Sequence, residues 1–270
     1  MRLVAIPPYR NPAVEWGWVL RYLIEDYRST GALKGVEVDV DEGYMVDSAS
    51  ETRDEEVLAV INVGIVNRVK QYGLTGKYDG IVLTGGIDPG FVAARVVMQD
   101  KVAVTGAIHA ALHVASLIGE RTSEIHTVPS SSLIVRHLAR KYGFGEKLVS
   151  VRIPMHTSTE SYLLLAKYKE NWAGRLQDPG LMKIMDDLAA ECIAAVDENR
   201  ADSVILSCEH LQAMADGIRQ RLDDKGYGEI PIIRTLPAGI EMALAMANMK
   251  LLQTARAYPG HNLKLAPRFC

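Results

Sequence analysis

The chain has 270 residues, with 30 basic against 33 acidic side chains and 48% hydrophobic residues, which is enough apolar material for one or two domains with substantial cores. A net charge of −3 without a Lys/Arg-dense run leaves no electrostatic footprint for a polyanion, so the expected partner is a small molecule and not nucleic acid. Three irregularly spaced cysteines (Cys192, Cys208, Cys270) exclude a disulfide framework or a CxxC metal clamp.

In chain order, Leu3–Ile6 is a short apolar run with no signal-peptide pattern behind it. Val36–Val40, Gly80–Leu83, Val102–Val104, Glu124–Val128, Leu148–Ile153, Val204–Leu206 and Ile230–Ile233 follow as further strands. Helical periodicity lies between most of them. Asp54–Tyr72 places Leu58, Ile61, Ile65 and Val69 on one face, and Leu181–Val196 does the same with Leu181, Ile184, Leu188 and Cys192. The most apolar stretch, Val102–Ile118, is broken by Gly106, His109 and His113, short of the roughly 20 apolar residues that span a bilayer. The expectation is a cytoplasmic protein without a membrane partner. Strands alternating with helices imply βα units and mostly parallel sheets with right-handed crossovers.

An internal repeat is visible. Asp79-Gly80-Ile81-Val82-Leu83-Thr84-Gly85-Gly86 has the pattern of Asp202-Ser203-Val204-Ile205-Leu206-Ser207-Cys208-Glu209, and each leads into a second unit, Val102–Ala107 with its helix and Ile230–Arg234 with its helix. The reading is an α/β protein of two pseudo-symmetric Rossmann-like (flavodoxin-like) halves. One domain covers residues 1–105 plus about 230–270, and the other about 106–229. Ligands of open parallel sheets bind beyond the carboxyl ends of the strands. Residues 84–86 and 207–209 should therefore face one interdomain cleft, where backbone donors suit stabilisation of an enolate oxygen.

Asp79–Gly90, Val104–Ala111 with Ile118-Gly119-Glu120-Arg121, and Leu206-Ser207-Cys208-Glu209-His210-Leu211 together resemble the hydantoin racemase branch of the aspartate/glutamate racemase superfamily. The resemblance runs from about Asp54 to the helix after Ile233. It implies two α/β domains, no metal or organic cofactor, and chemistry at a carbon acid in the cleft. Family racemases carry a cysteine at each of the two equivalent strand ends. Here the first position is Gly85 and only Cys208 remains, and Pro7-Pro8-Tyr9-Arg10 stands where hydantoin racemases have Asn-Pro-Asn-Thr, so the substrate-facing polar groups differ and the expected substrate is not an ordinary 5-substituted hydantoin. A glycine with a lone second cysteine is similar to the arylmalonate decarboxylases of the superfamily. That analogy makes Cys208 the general acid or base, with the N–H groups of Gly85, Gly86 and Glu209 and the hydroxyls of Thr84 and Ser207 as oxyanion donors.

Cys208 sits at a strand end beside Ser207, Glu209 and His210, a setting that can lower a thiol pKa. His126 ends its strand and is a candidate second acid/base in place of the missing thiol, with a hydrogen-bonded structural histidine as the alternative. Tyr9, Thr127, His210 and Arg234, the last placed to pair with a substrate carboxylate, complete the expected substrate contacts. His109 and His113 lie at zinc-binding spacing but lack the glutamate of HExxH, so packing explains them, and no metal site is expected. His156-Thr157-Ser158-Thr159-Glu160 is a polar loop, either solvated or lining the cleft or acting as a lid. Cys192 faces a core, and Cys270 is the last residue.

The expected function is proton transfer alpha to a carbonyl of a small carboxylate or hydantoin-like cyclic amide by a cofactor-independent racemase or isomerase. The alternatives are a malonate-type decarboxylase, a cysteine hydrolase using Cys208 with His210, and a non-catalytic small-acid-binding protein. The apolar helices Ala107–Leu117 and Ala238–Met249 suit a homo-oligomer interface as well as a core.

Overall fold

The computed structural model describes residues 1–47 and 54–260; Cys270 lies outside the described residues. The first half runs β1 (Arg2–Ile6), a small hairpin of β2 (Arg10–Asn11) and β3 (Val14–Glu15), α1 (Trp16–Ser29), β4 (Glu37–Val40), α2 (Glu55–Gly73), β5 (Gly80–Leu83), α3 (Phe91–Val97), β6 (Ala103–Gly106) and α4 (Ala107–Ile118). The second runs β7 (Thr122–Ile125), α5 (Ser131–Lys141), β8 (Leu148–Arg152), α6 (Ser158–Ala166), a 3-10 turn (Trp172–Gln177), α7 (Pro179–Asp197), β9 (Ser203–Leu206), α8 (Glu209–Gln212), α9 (Ala215–Asp224), β10 (Ile232–Arg234) and α10 (Thr235–Asn248).

Each half builds a four-stranded parallel sheet, in the orders β4-β1-β5-β6 and β8-β7-β9-β10. The two orders match when the strands of each half are counted from its first. β5 and β9 are buried along their whole length, as apolar runs covered on both faces must be. The predicted strand Glu124–Val128 ends earlier, at Ile125, because the Val128 N–H turns back onto the His126 ring nitrogen Nδ1 (3.0 Å) and closes a turn. The long helices start where their caps stand. Asp54 accepts from the Val57 N–H ahead of Glu55 and Glu56, and Asp178 accepts from Gly180 and Leu181 with Pro179 in the first turn.

The last strand, expected with the first domain, belongs to the second sheet. β10 continues the parallel ladder of β9, with Ile232 opposite Val204, across the α9 crossover. Only α10 returns to the first half. It packs on β5 and β6 while α4, its repeat partner, packs on β9 and β10 and against α10 itself. These two apolar helices thus fill the core between the sheets.

Their N-termini are capped from a distance. Asp88, in the loop after β5, accepts from the Ile108 and His109 N–H groups (2.9 and 2.8 Å). Gln212, at the end of α8 after β9, accepts from the Leu236 N–H (3.0 Å) and donates to the Thr235 hydroxyl. The Asp88-Pro89-Gly90 turn is therefore structural. Burial pushes the Asp88 carboxyl up to about 6 against the pull of those two N–H groups. His109 packs among Phe91, His113 and Tyr142, and no cluster of metal-ligating side chains occurs among the described residues. No helix among them is long and apolar enough to cross a membrane.

Asp88→Ala leaves two buried N–H groups without an acceptor and is expected to cost about 1–3 kcal/mol of stability. Thermal or urea unfolding at neutral pH checks this, and Asp88→Asn, which keeps one acceptor oxygen, should lose less.

Candidate active site

In both sheets the connection reverses direction between the first and third strands, so a crevice opens at the carboxyl ends of β1 and β5 and another at those of β7 and β9. The two crevices meet in one pocket with about 500 Å³ of space between its atoms, the solvent at its mouth included. Most of its lining comes from the four strand-end loops: Pro8 and Tyr9, Gly85–Pro89, His126–Ser131, and Cys208–His210. Trp16, Ile61 and Ser158 close the remaining sides.

Cys208 caps α8 with extended backbone and presents its sulfur to the pocket at 8% exposure. The thiol is not activated as its polar neighbours suggested. Burial, reinforced by the Glu209 carboxyl, pushes it up to about 11, and hydrogen-bond contacts with Ser207 and Thr127 offset this only in part. The nearest ring nitrogen is His126 Nε2, 3.9 Å from Sγ. Because His126 Nδ1 accepts the Val128 N–H, the neutral ring carries its proton on Nε2 and points a donor at the sulfur. His210 turns elsewhere. Its Nε2 lies 3.2 Å from the Thr127 hydroxyl, its ring packs 5.7 Å from Trp16, and burial pulls its pKa well down, so it is neutral. Thr127 in turn bonds the Ser158 hydroxyl at 2.6 Å.

The first half contributes space and backbone. Gly85 has φ +100°, which a side chain rarely adopts, and a Cβ there would press on Pro8. The direction facing Cys208 belongs to Gly86, where a Cβ would stand 2.5 Å from His126 Nε2 and 3.2 Å from the sulfur. Only glycine at 86 leaves room for both.

Glu209 is 4% exposed, and burial pushes its pKa up; the Thr84 hydroxyl and the Gly85 and Glu209 N–H groups oppose that shift. Its Oε1 has no hydrogen-bond partner.

Of the expected site residues, Tyr9, Gly85, Gly86, His126, Cys208, Glu209 and His210 line the pocket. Thr84 and Thr127 stand one layer behind. Ser207 is committed, its hydroxyl donating to the Ile125 carbonyl at 2.8 Å, so it is not an oxyanion donor. Arg234 does not line the pocket; its guanidinium lies over the Tyr27 ring. His156 is buried outside the lining, and the next turn supplies Ser158 instead.

Trp16, Ser131 and Glu124 escape the sequence. Trp16 is carried in by the β2–β3 hairpin, which Tyr162 pins by accepting from the Glu15 N–H and Trp18 Nε1 (3.0 Å each). Ser131 opens α5 with a buried, unpartnered hydroxyl at the pocket. Glu124 lies fully buried on β7 with both carboxyl oxygens unpartnered, close to His126, Ser207 and Cys208, and burial pushes it up to about 8. A glutamate inside an otherwise buried strand was the available signal for it.

The sequence model described as Asp/Glu/Hydantoin racemase matches residues 23–243. The chain is similar to a hydantoin racemase of Pseudomonas sp. (strain NS671), 23% identical over 205 residues that make up 76% of this chain and 72% of that protein. Among solved structures it is similar to an allantoin racemase from Klebsiella pneumoniae, with TM-score 0.71, 22% identity and 96% and 92% of the two chains covered. An allantoin racemase from Pseudomonas fluorescens superposes with TM-score 0.75 at 17% identity, over 97% of each chain.

The Glu124 shift has a stability consequence. A carboxyl whose pKa is about 8 when folded and 4.5 ordinarily supports the fold fully below pH 4.5 and loses that support as pH rises to 8. Glu124→Gln is therefore expected to melt like the parent near pH 4.5 and progressively higher than it up to pH 8, as read by differential scanning fluorimetry.

Proposed function

The chain belongs to the Asp/Glu/hydantoin racemase family, and from that premise we propose that it inverts the carbon acid of a neutral cyclic amide and that, against the expectation drawn from Pro7–Arg10, this is a hydantoin bearing an apolar substituent at the reactive carbon. The observation that carries this is the pocket lining. It holds neither lysine nor arginine, His126 is turned to Val128 and Cys208, His210 is neutral with its Nδ1 unpartnered, and Glu209 is acidic. A dicarboxylate or an amino acid zwitterion would bury its carboxylate there without a cation, at a large desolvation cost. A hydantoin ring brings only amide N–H and C=O groups, which the Ser131 and Ser158 hydroxyls and strand-end backbone can match. Pro8, Trp16, Ile61, Ile87, Pro89 and Val128 form the apolar wall for the substituent.

In this reading Cys208 is the acid of the exchange. A thiol with its pKa near 11 is protonated at neutral pH, ready to deliver its proton to an enolate formed in the pocket. The thiolate left behind is met by His126 Nε2–H and the Thr127 N–H. His126 thus acts as a hydrogen-bond donor, and the His210 base that a Cys208 hydrolase needs is turned to the Thr127 hydroxyl. Decarboxylation of a disubstituted malonate shares the pattern of Gly85 with a single cysteine, but it requires two carboxylates in a lining that pairs neither.

Proton NMR in D2O tests the reading, with parent and Cys208→Ala on 5-benzyl- and 5-isobutylhydantoin, allantoin, aspartate, glutamate and a phenylmalonate. Deuterium is expected at C5 of the apolar hydantoins with inversion, and inversion falls at least about 100-fold in Cys208→Ala. Turnover confined to the amino acids or the malonate would overturn the substrate assignment, and undiminished inversion in the variant would remove Cys208 from the chemistry.

A further inference from the structure

Inversion at a carbon acid needs one group that takes a proton from one face and another that returns a proton to the opposite face. Cys208 supplies one of the two, and the other described cysteine, Cys192, is fully buried on α7 away from the pocket. We infer that Glu209 is the second acid/base, working from the β5 side of the cleft across the substrate from Cys208; this rests on the racemase reading above.

The geometry that supports it begins with adjacency. Cys208 and Glu209 are consecutive at the start of α8, where neighbouring side chains diverge. The sulfur goes toward Thr127 and His126 of the second half. The carboxyl goes toward the end of β5, where Thr84 and the Gly85 N–H favour its ionised form. It therefore comes from the second half yet stands at the strand end where the family's first thiol is expected and Gly85 is found. One carboxyl oxygen, Oε1, is buried in the pocket wall without a hydrogen-bond partner, so an acceptor is unused. Neither lining histidine competes for the role. His126 Nδ1 is occupied by the Val128 N–H and His210 Nε2 faces the Thr127 hydroxyl, both on the Cys208 side. Burial also makes the ionised Glu209 a stronger base than a surface carboxylate.

The step balances without a co-reactant. For one enantiomer the Glu209 carboxylate takes the C–H proton, the C–H electron pair moves into the enolate, and the Cys208 S–H bond breaks as its proton forms the new C–H bond on the other face. The products are the inverted ring, a Glu209 carboxylic acid and a Cys208 thiolate. Between turnovers the Glu209 carboxylic acid gives its proton to water and the Cys208 thiolate takes one up, which restores the starting state; the opposite enantiomer is inverted by the same transfers in reverse.

The test follows each enantiomer of 5-benzylhydantoin separately in D2O with the parent, Glu209→Gln and Cys208→Ala. Glu209→Gln should abolish inversion in both directions. It should lower C5 deuterium exchange at least about 100-fold for one enantiomer only, while the other, deprotonated by Cys208, still exchanges with retained configuration. Cys208→Ala should show the complementary enantiomer preference. Parent activity with undiminished inversion in Glu209→Gln overturns the inference and leaves the racemase reading standing. Equal loss of exchange for both enantiomers in Glu209→Gln, with the parent's melting temperature retained, also overturns it, since that marks a positioning residue. A parent that exchanges no hydantoin overturns the racemase reading and the inference with it.

Discussion

The site depends on one topological constraint: two parallel sheets of the same strand order turn their crevices toward each other. A parallel sheet can present side chains and backbone N–H groups to a ligand only beyond the carboxyl ends of its strands, and it does so best where the crossovers diverge. Doubling that arrangement around one space makes four short loops share a pocket, and twelve of its fifteen lining residues come from them. Opposed strand ends also give a flat substrate a protein group on each face, which is the geometric requirement of stereochemical inversion. The exchange of α4 and α10 across the core holds the two ends in register.

Within that frame the electrostatics are those of a dry site. Cys208, Glu124 and Glu209 are all pushed toward their neutral forms by burial, and His210 likewise. Two of these groups keep carboxyl oxygens without partners. A structure that buries such atoms forgoes stability, and sites of this kind concentrate where reactivity is required. The hydrogen bonds that are satisfied do directional work. The Val128 N–H fixes which nitrogen of His126 bears its proton, and the Ser207 hydroxyl is bound to the Ile125 carbonyl, leaving the sulfur the more available group of the pair.

Much of the fold was legible because its strands are short apolar runs of a kind that only a covered parallel sheet accommodates. The repeat of Asp79–Gly86 in Asp202–Glu209 placed the cleft. Cys208 and His126 were visible because strand-end positions follow from the strands themselves. Trp16 was not, since it reaches the pocket through a hairpin pinned by Tyr162, a contact between residues far apart in sequence. Ser131 depends on how α5 enters, which periodicity does not report. Arg234 was misplaced by the repeat: its position corresponds to Thr105 and its strand end is correct, but a long side chain there swings out to the Tyr27 ring. Position 85 shows a further limit. Sequence equivalence pairs it with Cys208, yet its left-handed backbone hands the cleft-facing direction to Gly86.

The crossing of α10 also orders events during synthesis. β5 and β6 emerge early, but the helix that covers them is Thr235–Asn248, made only after the entire second sheet. Until then the first sheet carries an open apolar face, so the nascent first half cannot complete its core as an independent unit. The same crossing joins the second half's chain end to the first half's interior. The two halves look like a duplicated unit, yet the core of the first is closed by a helix of the second.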